Sequence, residues 1–299
     1  MSITQPLTIS SEQKEYFAQQ GFLKLEQAVS PELVEELRAA MSRLCIQHAS
    51  QQNFVVLTGG NEKEFVCGID KIVGLQETVF ACLLGSPLLL SLAEAICGED
   101  FFPAQDFAVI KNLGDGTTVN WHQDVISSPE SKTFMVGIYL DPSTEENGAL
   151  RIIPGSHKTG LPICDLEKMP YRTLPMQPGD VLVHDLMIAH SSGALASFPQ
   201  RRVVYFEFMS ASFVRRERIY PEEFIRLRTS LVPLSIQCFR EKYPEAKPFE
   251  WKHPERETFA EAADPAAAIR GICASPMRVK AASYCFAHLY DEAAQIKMG

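Results

Sequence analysis

Basic residues are in deficit along this chain of 299 residues: 28 Lys and Arg face 37 Asp and Glu, for a net charge of −9. Recognition of a phosphate backbone needs a clustered basic surface. The nearest approach to one, Arg215, Arg216 and Arg218, is interleaved with Glu217 and followed by Glu222 and Glu223. A nucleic-acid partner is therefore not expected. Long apolar runs are also missing: none reaches the roughly eighteen residues of a membrane span. The N-terminal Met-Ser-Ile-Thr-Gln-Pro lacks the basic head and apolar stretch of a secretory signal. Cysteine occurs eight times (45, 67, 82, 97, 164, 238, 273 and 285) but never as CxxC. Mostly set among apolar neighbours, the cysteines read as reduced core residues rather than disulfides or zinc ligands, which implies a cytoplasmic setting. Internal repeats and low-complexity tracts are absent too. The remainder, 46% apolar and 22% charged, is ordinary for a soluble globular protein.

The first hundred residues predict mainly helix. Ser10-Ser11-Glu12-Gln13 is a capping box with Gln13 at the third helical position, and Gly21 closes that helix. Ser30-Pro31 and Ser86-Pro87 open two more, with proline at the first position, where no backbone donor is needed. From Phe101 to about Ser212 the texture changes to short β-rich runs, near 105–112, 117–125, 133–140, 149–153, 172–176, 180–184, 188–192 and 202–210. Breakers such as Gly114-Asp115-Gly116 and Gln177-Pro178-Gly179-Asp180 separate them. About eight short strands without intervening helices predict a double-sheet jelly roll or barrel, not a parallel βαβ sheet. The expected fold class is mainly β with flanking helices, a cupin-like jelly roll. Residues 1–212 form a helical N-terminal part packed on the jelly-roll core. Residues 213–299 form a helical extension of the same domain, with a proline- and charge-rich linker at Tyr243–Glu257 and Ala-rich helix over the last forty residues. Segments 50–75 and 213–299 are expected to act as lid or oligomer surface, because the jelly roll does not require them.

Chemistry concentrates in Trp121-His122-Gln123-Asp124, answered 66 residues later by His190 and then by Arg201. Residues i and i+2 of a strand share a face, so His122 and Asp124 can grip one ion from one strand, with Asn120 turned inward beside them. Two ionisable groups on an interior face are costly unless a metal or partner compensates. A histidine from a second strand would complete a two-histidine, one-carboxylate set with positions left open. The competing His253-Pro254-Glu255 lies in the linker and has no strand to aim it. His184 and His190 both suit the distal position by periodicity. Arg201, at the start of the strand that returns beside His190, favours His190, because a guanidinium pairs with a carboxylate through two parallel hydrogen bonds. His184 then reads as a supporting residue, and His157, in Pro154-Gly155-Ser156-His157, as structural.

These motifs in order, Trp121-His-Gln-Asp124, Glu146-Asn-Gly-Ala-Leu-Arg-Ile-Ile-Pro-Gly-Ser-His157, Gln177-Pro-Gly-Asp180 and His190-Ser-Ser-Gly with Arg201, resemble the phytanoyl-CoA dioxygenase family. The resemblance runs from about residue 10 to 212. It implies an iron(II)- and 2-oxoglutarate-dependent oxygenase on a double-stranded β-helix. By that likeness His122, Asp124 and His190 correspond to the iron ligands, Arg201 to the anchor of 2-oxoglutarate, Ser192 to its assistant, and Lys111 to a further cosubstrate-side position. The family often carries Gly directly after the distal histidine and Asn five residues after it; here Ser191 and Leu195 stand there, which bears on loop geometry and not on the ligands. Related halogenases have a small residue in place of the carboxylate, so Asp124 points to oxygenation.

The implied reaction is hydroxylation, desaturation or rearrangement of a small organic metabolite with O2, giving succinate and CO2. Two rivals remain. One is a jelly-roll metal hydrolase or isomerase, which would have no need of Arg201; the other is a non-catalytic binding module, for which a lost ligand would be the sign. A CoA-linked substrate would call for a basic groove, and none is legible in so acidic a chain. Asn120, Met135, Gly137 and Tyr139 are the expected pocket neighbours, and a homo-oligomer is expected to form through the C-terminal segment.

Overall fold

The computed structural model describes residues 3–47, 52–58, 62–125, 128, 132–275 and 283–284. In chain order it runs α1 (Ser11–Gln20), β1 (Phe22–Leu25), α2 (Pro31–Gln47), β2 (Phe54–Thr58), β3 (Glu64–Asp70), α3 (Val79–Leu84), α4 (Pro87–Cys97), β4 (Phe101–Asn112), β5 (Val119–Gln123), β6 (Thr133–Tyr139) and β7 (Leu150–Ile152). It continues with α5 (Ile163–Leu166), β8 (Arg172–Leu174), β9 (Val181–Asp185), β10 (His190–Ser192), β11 (Gln200–Ser210), α6 (Ala211–Glu217), α7 (Glu222–Thr229), α8 (Leu231–Lys242), α9 (Pro265–Ala274) and β12 (Ser283–Tyr284). Two antiparallel sheets face each other. The larger has the order β1-β9-β6-β11-β4-β3-β2 and the smaller β12-β5-β10-β7-β8. This is the jelly roll expected from the spacing of the short strands.

Local chemistry sets the helix boundaries. The Ser10 hydroxyl accepts from the Gln13 amide at 3.1 Å while the Gln13 side chain accepts from the Ser10 amide at 3.0 Å, and Gly21 closes α1 at φ 82°. Ser86 caps α4 ahead of Pro87. The long strand β11 divides its side chains by alternation. Val204, Phe206 and Phe208 enter the main core with α2, α3, α4, α8 and α9 on the outer face of the larger sheet. Arg201, Val203, Tyr205 and Glu207 take the opposite face, toward the smaller sheet.

Several expectations need correction. Three strands lie in the first hundred residues beside the predicted helices. β1 is only four residues long, too short to show a pattern. β2 and β3 form a hairpin within 50–75, and β3 pairs with β4 to extend the larger sheet. The C-terminal helices likewise bury apolar faces: Leu231, Val232, Phe239 and Ile269 join the main core, and Phe213, Tyr220 and Phe224 close one end of the sandwich. Ser283–Tyr284 is strand where helix was expected, paired with β5. The rest of the last forty residues after Ser275, including any oligomer surface there, lies outside the described residues. Among the described residues no helix is long and apolar enough to cross a membrane. Cysteines 45, 67, 82, 97, 238 and 273 are free, but Cys164 on α5 is disulfide-bonded, against the expectation that all eight are reduced. Neighbours along the chain cannot reveal a partner brought in by folding. Cys285 lies outside the described residues.

One buried ion pair ties the C-terminal helices to the sheet. Arg228 of α7, 1% exposed, donates to the Pro103 carbonyl and to Asp106 of β4, each at 2.7 Å. Asp106 also accepts from the Val73 amide at 2.9 Å. Arg228→Met should lower stability by about 3–5 kcal/mol by stranding a buried carboxylate. Urea denaturation followed by circular dichroism would register this, and adding Asp106→Asn should restore much of the loss.

Candidate metal centre

Strand pairing brings the two histidines together. His122 of β5 and His190 of β10 are register partners, and their rings lie 4.1 Å apart between centroids. Between this pair and the next, Val119 with Ser192, β5 holds one extra residue, which makes a β-bulge. The bulge reverses the strand's phase. Val119 therefore lines the interior with His122 and Asp124, while Asn120, expected inward, is exposed. On either side of Asp124 the chain is held, by the Gln123 side-chain amide donating to the Met187 carbonyl and by Val125 N–H to the Leu186 carbonyl at 3.2 Å. That hold fixes Asp124.

The ring nitrogens are already sorted. Nδ1 of His122 lies 2.9 Å from the Asn120 carbonyl and Nδ1 of His190 lies 3.0 Å from the Ile188 carbonyl. Each Nδ1 thus carries the proton and each Nε2 offers a lone pair, the arrangement that orients metal-binding imidazoles. Both Nε2 atoms converge on Asp124 Oδ1, at 3.3 Å from His122 and 3.8 Å from His190. The other oxygen, Asp124 Oδ2, is buried without a hydrogen-bond partner. One donor atom from each of the three residues can be chosen so that all lie within 4.8 Å of one another. Two neutral imidazoles and a carboxylate with an orphaned oxygen fit a divalent metal ion.

The electrostatics agree. Burial alone would raise the Asp124 carboxyl, but the neighbouring imidazoles outweigh it and hold the group well below the usual carboxylate range. Burial, then the charge of His122, pushes His190 down to about 3. His122 is also lowered by burial, but its hydrogen bond to Asp124 and that carboxylate's charge leave it raised on balance. His184, on β9 of the opposite sheet, packs its ring 4.8 Å from that of His190 and turns Nδ1 to the Asp185 carbonyl. It lines the cavity behind the three donors. His157 sits apart, buried under Gly21 with Nε2 on the Ala18 carbonyl at 3.2 Å.

A cavity of about 290 Å³ opens between the sheets. His122, Asp124, His190, Ser192 and Arg201 all line it, with Phe107, Val109, Val119, Met135, Leu150, His184 and Tyr205. Arg201 is 3% exposed. Its Nη1 donates to the Gly148 carbonyl and to Ser143 Oγ, whereas its Nε is buried with no partner. Gly148 has φ 68°, and a Cβ there would come within 2.4 Å of the Gly193 carbonyl, so only glycine lets this loop offer its carbonyl to the arginine. Of the other expected neighbours, Met135 is on the wall, while Tyr139 is buried among Leu182, Val203 and Ile152. Gly137 makes room: a Cβ there would stand 2.7 Å from the Tyr205 ring. Tyr205 and Phe107, stacked at 5.1 Å, were not among the expected pocket residues. Counting by twos from Arg201 along β11 finds Tyr205.

Lys111 takes a different place from a cosubstrate contact. It is register partner to Arg201 and fully buried, and its ammonium donates to the carbonyls of Thr117 at 3.2 Å, Ser192 at 3.2 Å and Gly193 at 2.5 Å. Three N–H groups meet three acceptors. Lys111 thereby pins the approach to β5 and the end of β10. Burial, then the charge of Arg201, brings its pKa down to about 7.

The phytanoyl-CoA dioxygenase (PhyH) family model matches residues 17–203, a span that contains His122, Asp124, His190 and Arg201. The chain belongs to this family. Among curated relatives, ectoine dioxygenase of Streptomyces coelicolor is 30% identical over 149 residues, covering 47% of this chain and 48% of that protein. L-proline trans-4-hydroxylase of Streptomyces griseoviridis is 28% identical over 171 residues, covering 54% and 59%. The chain thus spans about half the length of the curated relatives it matches. The crystal structure of EctD from S. alaskensis with 2-oxoglutarate and 5-hydroxyectoine aligns at TM-score 0.60 and 22% identity, covering 71% of this chain and 81% of that one. At that identity the likeness establishes the fold, the double-stranded β-helix.

Lys111→Met should leave three carbonyls unpaired at the mouth of the centre, at a cost of about 1–3 kcal/mol. Hydrogen exchange measured by mass spectrometry should quicken at 117–123 and 190–193 and stay unchanged in α8 and α9.

Proposed function

We propose that this protein is an iron(II)- and 2-oxoglutarate-dependent oxygenase that hydroxylates a small organic metabolite. The observation that carries the reading is the sharing of one cavity by His122, Asp124, His190 and the buried guanidinium of Arg201. A hydrolytic or isomerising metal site would need the three ligands but not an arginine with an orphaned Nε behind them.

In this reading His122 and His190 hold the ion through Nε2 and Asp124 through its carboxylate. Arg201 takes the far carboxylate of 2-oxoglutarate through its unpartnered side, with Ser192 beside it, while Gly148 and Ser143 keep the guanidinium from turning away. Lys111 keeps β5 and β10 in position from behind. Ferrous iron with 2-oxoglutarate and O2 supplies the oxidising power, yielding succinate and CO2 as the substrate C–H bond is hydroxylated. Phe107, Val109, Val119, Met135 and Leu150 form apolar walls that keep water from the reacting atoms. The cavity measures about 290 Å³, and among the described residues Arg201 is its one permanently cationic lining residue, so it offers no basic groove for the phosphates of CoA. Both points favour a small metabolite, as do the names of the relatives. A reducing, cytoplasmic compartment suits ferrous iron and six free thiols, with Cys164 the exception.

The test is oxygen-dependent succinate release from 2-oxoglutarate with ferrous iron. Wild type should turn over and Asp124→Ala should not, with ferrous affinity, titrated anaerobically, lowered by more than the roughly 10–100-fold typical of a lost outer partner. Arg201→Ala should keep the metal but raise the KM for 2-oxoglutarate roughly 10–100-fold, the worth of a charged hydrogen-bond pair. Turnover that is indifferent to Arg201 would remove its assignment as the anchor, and a wild type that releases no succinate would transfer the weight to the hydrolase reading.

A further inference from the structure

The cavity face of the larger sheet carries basic groups at one end and an acid at the other. Arg201 and Lys111 are register partners at one end. Six residues along β11, about 20 Å away at strand rise, Glu207 occupies the same face. Its register partners are Gln105 on β4 and Met135 on β6, and Met135 is paired in turn with His184 on β9. Met135 and His184 both line the cavity. Glu207 therefore belongs to the cross-strand row that bounds the cavity on the side away from Arg201.

Its carboxyl is only half satisfied. Glu207 is 1% exposed; Oε2 accepts from the Gln105 amide at 2.8 Å, and Oε1 is buried with no hydrogen-bond partner. Among the described residues no cation forms an ion pair with it, although the charge of Arg228 acts on it. Arg228 is engaged by Pro103 and Asp106, and Arg201 is at the far end. A buried carboxylate oxygen without a partner is expensive, and folds keep such groups where a ligand completes them. Burial and then the charge of Asp124 push the carboxyl up to about 8, and a cation docked beside it would favour the ionised form.

We propose that Glu207 is the substrate-recognising residue of this cavity, and that the metabolite it takes carries a protonated nitrogen which docks on Oε1. The inference rests on the reading of the site as an iron and 2-oxoglutarate centre, because the dicarboxylate at Arg201 leaves the Glu207 end for substrate. A nitrogen held there places the substrate's carbon skeleton against Met135 and the stacked pair Phe107 and Tyr205, next to the metal ligands. Gln105 aims the carboxyl by holding its other oxygen. The opposed charges then determine orientation, with the dicarboxylate at one end and the cation at the other.

The test uses the full chain loaded with manganese(II) and 2-oxoglutarate, so that binding is read without turnover. Thermal shift and calorimetry compare L-proline, ectoine and putrescine at millimolar concentration with the nitrogen-free cyclopentanecarboxylate and butane-1,4-diol. The expected result is that one or more nitrogen compounds bind wild type, that their nitrogen-free counterparts do not, and that Glu207→Gln weakens the binding roughly 10-fold or more. Equal binding of both classes to wild type, no binding by any cationic compound, or undiminished binding to Glu207→Gln would each overturn the proposal. The wild-type comparison needs no variant, so a misfolded Glu207→Gln would not protect the idea. Titration of 2-oxoglutarate into the manganese-loaded wild type separates the two levels. If it binds and the nitrogen preference is absent, only the role of Glu207 falls. If it does not bind, the oxygenase reading falls and this assignment with it.

Discussion

A carboxylate held between two imidazoles is the constraint on which the rest of this site depends. Asp124 has one oxygen facing Nε2 of both His122 and His190, and its other oxygen is buried without a partner. Such a group would be strongly unfavourable in an apolar interior. It persists because the backbone leaves it no alternative. Carbonyls of Asn120 and Ile188 turn both rings, antiparallel pairing sets His122 opposite His190, and contacts to residues 186 and 187 fix the chain on either side of Asp124. A divalent ion is the partner that this donor set lacks.

The surroundings are organised by strand register. Because residues on paired strands lie in rows across the sheet, Lys111 stands beside Arg201, Phe107 beside Tyr205 and Gly137, and Gln105 beside Glu207 and Met135. Each row contributes differently. The first gathers positive charge at one end, the second forms an aromatic wall whose ring fits only because Gly137 has no side chain, and the third carries an acid. The helices contribute rigidity from outside: α2, α3, α4, α8 and α9 cover the opposite face of the same sheet, and the Arg228–Asp106 pair anchors α7 to β4.

Much of this was legible before folding was considered. The eight strands between Phe101 and Ser210 appear where short apolar runs are divided by glycine, proline and acidic turns, and the helix caps at Ser10, Ser86 and Gly21 follow from local hydrogen bonding alone. The failures have physical causes. β3 does alternate, with Phe65, Cys67 and Ile69 buried, but its pairing partner β4 lies thirty-odd residues on and gives no local signal. Asn120 was placed on the wrong face because a bulge is a property of two strands together. Lys111 resembles a ligand-binding cation in the sequence, yet its ammonium is fully engaged by carbonyls brought from two other segments.

By itself, the order of residues determined the double-sheet architecture and the identity of the chemical groups: two histidines, a carboxylate and an arginine in strand-like surroundings. Those depend on periodicity and turn chemistry, which act over a few residues. Tertiary structure alone decided which face of its strand Asn120 takes, where Lys111 directs its protons, and that Glu207 ends beside the cavity with an unmet oxygen. These outcomes depend on register between strands remote in the chain, and a hydrogen bond or charge is worth little until packing has removed the competing water.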